Sequence, residues 1–176
     1  MAVPDPMSTS SLYYLKTKVW EGGNESLDNL YCTSSELSQP SILTRLTTAS
    51  SVQSYHTGAG TSDATLGRNK SVSLQGRIND THQEFPIPES SFPYGLSIEK
   101  RIQSTGWCPV SIDAGLGEAG FSLEDGISLT SNSTYFAGWL ACNWWLGVPQ
   151  LFWKLSFYHY EIPGSCANVT LLTELV

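Results

Sequence analysis

Apolar and polar residues alternate at period two along most of this chain, and no stretch of twelve or more residues keeps a helical period. Tyr13, Leu15, Thr17 and Val19 share one face of Leu12–Trp20, which reads as a strand ended by Gly22-Gly23-Asn24. Asn29–Thr33 predicts a short second strand and Ser34–Ser41 a polar loop. Ile42–Tyr55 predicts one or two strands, and His56–Thr61 a flexible loop. Val72, Leu74, Gly76 and Ile78 alternate with Ser71, Ser73, Gln75 and Arg77 as a half-buried strand. Asn79-Asp80 turns the chain into His82–Ile87, where Pro86 and Pro88 limit pairing. Tyr94–Ile102 holds a strand or a helical turn, and Pro109–Asp113, Phe121–Leu123 and Ile127–Thr130 read as short strands. Val169–Leu175 is placed to close the sheet.

The densest pattern lies between Tyr135 and Cys166, which holds four of the six tryptophans. Phe136, Gly138, Leu140 and Cys142 fall opposite Tyr135, Ala137, Trp139 and Ala141. After Leu146-Gly147-Val148-Pro149, the series Leu151, Trp153, Leu155, Phe157, His159 alternates with Phe152, Lys154, Ser156, Tyr158, Tyr160. Two aromatic, β-leaning runs around a Gly-Val-Pro turn predict a hairpin buried on both faces. Each large ring can bury roughly 150–250 Å², so this hairpin supplies much of the core. With fifteen glycines and nine prolines as punctuation, the chain predicts an all-β fold. The expectation is one β-barrel or two-sheet sandwich of about ten short antiparallel strands over residues 11–176, behind a flexible arm at residues 1–10.

Composition narrows the function. Nine basic against sixteen acidic residues give a net charge of −7, with no lysine or arginine cluster beyond Lys16/Lys18 and Lys100/Arg101. Nucleic acids and anionic membranes need a positive footprint, so neither is an expected partner. No apolar run approaches the ~18 residues of a membrane span. Cys32, Cys108, Cys142 and Cys166 are widely spaced without a C-x-x-C pair, which suits two disulfides better than zinc. Three connectivities are possible, of which Cys142–Cys166 with Cys32–Cys108 is favoured. Five of the seven asparagines, Asn24, Asn69, Asn79, Asn132 and Asn168, head N-x-Ser/Thr sequons. Sequons and cysteines together predict a secreted glycoprotein. Residues 1–20 lack an apolar leader segment, so the leader is expected to have been removed.

Catalytic motifs are sparse. Gly115-Leu116-Gly117-Glu118-Ala119-Gly120 matches G-x-G-x-x-G, but the residues after it read as strand and turn, so a glycine-rich hairpin loop is expected rather than a nucleotide site. His56, His82 and His159 show no metal-ligand spacing, and no metal or cofactor is called for. Asp113, Glu118, Glu124, Asp125 and Glu161 are the carboxylates available for a glycosidase-like pair. The adjacent Trp144-Trp145 cannot both point inward from a strand, so one is expected to be exposed or to line a pocket mouth. The expected ligand site is therefore Trp139, Trp144, Trp145, Trp153, Tyr158 and His159, with His159 the candidate catalytic residue on the Trp153 face.

His56-Thr57-Gly58-Ala59-Gly60, the run Phe136 to Trp145 and the run Gly147 to Trp153 resemble a group of small secreted proteins of filamentous fungi. More distantly, the late aromatic strand and its cysteines are similar to phialide-type cell-wall proteins, some of them IgE-binding. The resemblance implies a secreted β-protein and carries no enzymatic residues. The resulting expectation is a cell-wall or surface protein binding a carbohydrate or hydrophobic small ligand. The alternative is a secondary-metabolism enzyme whose aromatic barrel steers a cyclisation or cycloaddition. A carbohydrate-active enzyme is a third, weaker reading.

Overall fold

The computed structural model describes residues 11–34, 61–87, 90–99, 106–144, 148–159 and 161–176. The strands expected within Ile42–Tyr55, the His56 loop and Trp145 lie outside these residues. Twelve strands are seen among the described residues: β1 (Tyr13–Val19), β2 (Tyr31–Ser34), β3 (Thr61–Gly67), β4 (Gln75–Asn79), β5 (His82–Phe85) and β6 (Tyr94–Ile98) come first. They are followed by β7 (Trp107–Ala114), β8 (Phe121–Glu124), β9 (Ser128–Ser131), β10 (Phe136–Asn143), β11 (Pro149–Leu155) and β12 (Cys166–Leu175). Short 3₁₀ turns occupy Glu25–Leu27 and Lys70–Val72.

The fold is a closed nine-stranded antiparallel β-barrel with extra strands. Its order runs β1-β4-β5-β6-β7-β3-β11-β10-β12. Closure comes from the ladder of β1 with β12, which holds register from Tyr13↔Leu175 to Val19↔Val169. Closure leaves those nine strands without a free edge, which removes the usual template for edge-to-edge association.

Alternation sets the inside and outside. Tyr13, Leu15, Ala64, Leu66, Val110, Ile112, Trp139, Ala141, Leu151, Trp153, Ala167, Val169 and Leu171 are buried in one interior cluster. Outside the wall, Trp107, Leu140, Cys142, Phe152 and Cys166 form a second buried cluster under Ile162. Both faces of the β10–β11 hairpin are thus buried, as its sequence predicts. Among the described residues strict alternation fails in β10. Gly138 has φ +117 and the β10–β11 register shifts between Phe136 and Trp139. This bulge turns Phe136 and Trp139 to the same side, with ring centroids 5.1 Å apart.

Cys142 and Cys166 face each other across β10 and β12 and are joined, as expected. The other expected pair is not formed: Cys32 and Cys108 are free and buried. Cys32 sits on β2 and Cys108 on β7, and β3 runs between, paired to both. Two strand spacings amount to about 9–10 Å, beyond the ~7 Å Cα separation a disulfide can bridge. Burial pushes the Cys32 thiol up to about 12 and raises that of Cys108, with the Glu99 carboxylate adding to the latter.

Candidate functional site

The tryptophans named from sequence separate into two kinds. Trp139 and Trp153 belong to the interior, their rings perpendicular at 5.8 Å and flanked by Phe121 and Phe136. The Trp139 indole N–H donates to the Leu129 carbonyl at 2.8 Å, which satisfies its one polar group inside the barrel. These rings are core. Trp144, by contrast, is exposed at the hairpin end and packs edge-on to Phe152 at 5.4 Å.

His159 is not on the Trp153 face. The strand stops at Leu155, and a turn follows in which the Tyr158 N–H donates to the Leu155 carbonyl. His159 lies exposed beyond it, and Tyr158 is half-buried against Phe157. The structure therefore brings Trp139 and Trp153 together but joins neither Trp144 nor His159 to them. The candidate carboxylates are dispersed: Asp113 on β7, Glu118 in a loop, Glu124 and Asp125 at the β8–β9 turn, and Glu161 before β12. Asp113 accepts from the Ser111 hydroxyl at 2.8 Å, and its other oxygen is buried without a partner. The glycine-rich 115–120 segment is a connection folded back on β6, its Glu118 N–H donating to Leu96 O, rather than a hairpin loop. A strand, not a helix, follows it. Among the described residues no group of three or more His, Cys, Asp or Glu converges to hold a metal ion.

Among the described residues a cavity lies at the end of the barrel where β1 finishes and β12 begins. It is an open groove of about 710 Å³, lined by Trp20, Glu21, Gly22, Gly23 and Asn24 on one wall. Ile162, Pro163 and Gly164 form the other wall, with Cys166, Ala167 and Asn168 as its floor. Sequence explains each part. Inward positions on β1 are Tyr13, Leu15, Thr17 and Val19, so the next residue, Trp20, points outward. Its backbone N–H extends the ladder to Asn168 O, and its indole N–H donates to the Thr170 hydroxyl at 3.0 Å. The residue stays 52% exposed, and its indole is held in one orientation by that hydrogen bond.

The turn that follows requires glycine. A Cβ on Gly23 would meet Val19 Cγ1 at 2.7 Å and Ala167 Cβ at 3.3 Å, so the chain can close on the core only here. Asp28 accepts from the Val19 N–H at 2.8 Å. Partial burial opposes its ionisation, yet this bond and Lys18 hold the carboxyl below its usual range. Buried Thr17 accepts from Leu30 N–H and donates to Leu27 O, tying the returning chain to β1. On the floor, the Asn168 carboxamide oxygen accepts from Lys154 Nζ at 2.6 Å, and burial lowers the pKa of that lysine. The Cys142–Cys166 bond and the Asn143 N–H to Ser165 O bond anchor the second wall.

Trp20, Glu21 and Ile162 were not among the residues expected to bind. Outward position for Trp20 was available in the alternation of β1. The second wall was not, because it is about 140 residues away in sequence and reaches Trp20 only through the β1–β12 closure.

Fold and site together define a small closed antiparallel barrel with a mixed polar and aromatic groove at one end. Residues 37–175 match the model of a family described as a domain of unknown function, DUF7907, and the chain belongs to that family. The matched region contains the Ile162–Asn168 side of the groove, whereas β1 and Trp20 precede it. No curated protein and no solved structure matches the chain.

Proposed function

We propose that this is a secreted, N-glycosylated cell-wall or surface protein that binds a saccharide chain in the groove beside Trp20. The observation that carries this reading is the fixed, half-exposed Trp20 indole set among polar groups. A pyranose presents C–H groups on its faces and hydroxyls around its edge. Such a ligand can stack on an indole while Glu21 and Asn168 meet its hydroxyls. A purely apolar ligand would leave those polar groups desolvated and unpaired. The five sequons and the Cys142–Cys166 bond support an oxidising, secretory route. The fungal setting rests on the resemblance of the aromatic hairpin.

The cyclase alternative placed its substrate among Trp139, Trp153 and His159. Those two indoles pack against Phe121 and Phe136, and His159 lies outside the strand, so no observation favours it. Co-sedimentation with insoluble chitin and β-glucan tests the proposal. Unglycosylated wild type should pellet with at least one polymer and unglycosylated Trp20→Ala should stay in solution. Equal retention of both, or of neither on any wall polymer, would remove the saccharide reading.

A further inference from the structure

We propose that Asn24 carries an N-linked glycan whose first sugar lies in the groove beside Trp20, so that glycosylation of this chain controls access to its own binding site. This rests on the secretory, saccharide-binding reading above.

The five sequons are not equivalent in the fold. Asn168 lies within β12 between β10 and β1, and its side chain is held by Lys154. Asn79 donates its carboxamide N–H to the buried Glu84 carboxylate at 2.8 Å, a short charge-assisted bond whose loss would leave that carboxylate short of a partner. Asn132 is exposed, but its Oδ1 lies 2.4 Å from where a Cβ on Gly120 would stand, packed over that turn. Asn24 and Asn69 share a different arrangement. In each, Oδ1 accepts from the backbone N–H two residues on, at 3.1 and 3.0 Å, and from that serine's hydroxyl at 2.7 Å in both. Two donors on the carboxamide oxygen fix the side chain and draw electron density from it, which makes the Nδ2 protons more acidic; at Asn24 that nitrogen makes only a long 3.5 Å contact to a carbonyl.

The chemistry is a condensation with a glycosyl diphosphate donor. The bond from Nδ2 to the anomeric carbon forms as the carbon–oxygen bond to diphosphate breaks. Diphosphate leaves as the anion, and one amide proton passes to a base of the transferase. At Asn69 the product projects from the β3–β4 connection. At Asn24 it does not project freely, because Asn24 lines the groove and its Nδ2 reaches across to the Gly164 carbonyl at 3.5 Å. A sugar on that nitrogen begins between the two walls, beside the exposed indole. Its chemical class is the one the groove suits.

The protein should be produced in a eukaryotic secretory host, with occupancy mapped at each sequon by mass spectrometry. Exposure of Trp20 is read by acrylamide quenching, with Trp20→Phe subtracted to remove the other tryptophans. Asn24 should be occupied, and Trp20 should be shielded in wild type and in Asn69→Gln. The shielding should be lost in Asn24→Gln. Ser26→Ala, which removes the sequon but keeps Asn24, provides the same comparison if Asn24→Gln folds poorly. An occupied Asn69 with an empty Asn24 would overturn the inference while leaving the secretory reading intact. Occupied Asn24 with unchanged Trp20 quenching would overturn the placement of the sugar. An absence of glycan at every sequon would remove the secretory reading, and the inference with it.

Discussion

Trp20 and Trp153 are one residue type in opposite environments, 52% and 6% exposed, and truncation should separate their roles. Trp153→Ala removes a ring that contacts Phe121, Phe136 and Trp139, and should cost about 3–5 kcal/mol in urea denaturation. Trp20→Ala loses one exposed hydrogen bond and should cost under about 1 kcal/mol. Saccharide binding should respond in the reverse order. His159→Ala should leave both stability and binding unchanged, since the side chain is exposed and outside the groove. Gly138 is a third diagnostic residue. Space around it is open, but its φ of +117 is strained for any L side chain, so Gly138→Ala should destabilise by about 1–3 kcal/mol. A wild-type denaturation midpoint for that variant would show that the bulge does not need glycine.

At the scale of elements, most strands are legible because each has apolar residues on alternate positions bounded by Gly, Pro or Asn. The exceptions have physical causes. Thr61–Gly67 does not read as a strand because Ala64 and Leu66 are its only apolar side chains. Phe157 and His159 read as strand because the aromatic pattern continues past Leu155, although the chain turns there. Alternation also cannot see a bulge, and so placed Phe136 opposite Trp139. The disulfides divide in the same way: Cys142 and Cys166 bracket the second strand of the hairpin, while the relation of Cys32 to Cys108 depends on where β3 inserts. Non-reducing peptide mapping should find Cys142–Cys166 and two free thiols. The free thiols should resist alkylation in the native state, since burial raises both. Replacing both Cys142 and Cys166 with alanine should cost about 2–4 kcal/mol.

At the scale of the whole molecule, the β1–β12 seam both closes the barrel and assembles the groove, so closure and the proposed site share one element. Glu174 near the far end of that seam accepts from Lys16 at 2.8 Å, from Lys70 and from Tyr31 at 3.1 Å. Hydrogen bonds from Lys16 and Lys70 hold its carboxyl at about 2, against about 4.3 in an unfolded chain. A depressed carboxylate contributes stability that is complete above the unfolded value and is lost as pH falls towards the folded one. Urea midpoints should therefore decline between about pH 4 and 2, and Glu174→Gln should remove part of that slope. The effect will be modest because the carboxylate is one-third exposed. The all-β class was readable in the sequence, which left a barrel and a two-sheet sandwich both open. The groove was not, since its walls come from opposite ends of the chain and meet only once the seam has formed. The central claim is that this groove, rather than the aromatic interior, receives the ligand. The most direct measurement follows the six indole N–H resonances of the unglycosylated protein by NMR during titration with soluble chitin and β-glucan oligosaccharides. The Trp20 signal should shift with saturation while those of Trp139 and Trp153 stay in place. Movement of Trp139 and Trp153, or of Trp144 alone, with Trp20 unchanged would contradict it.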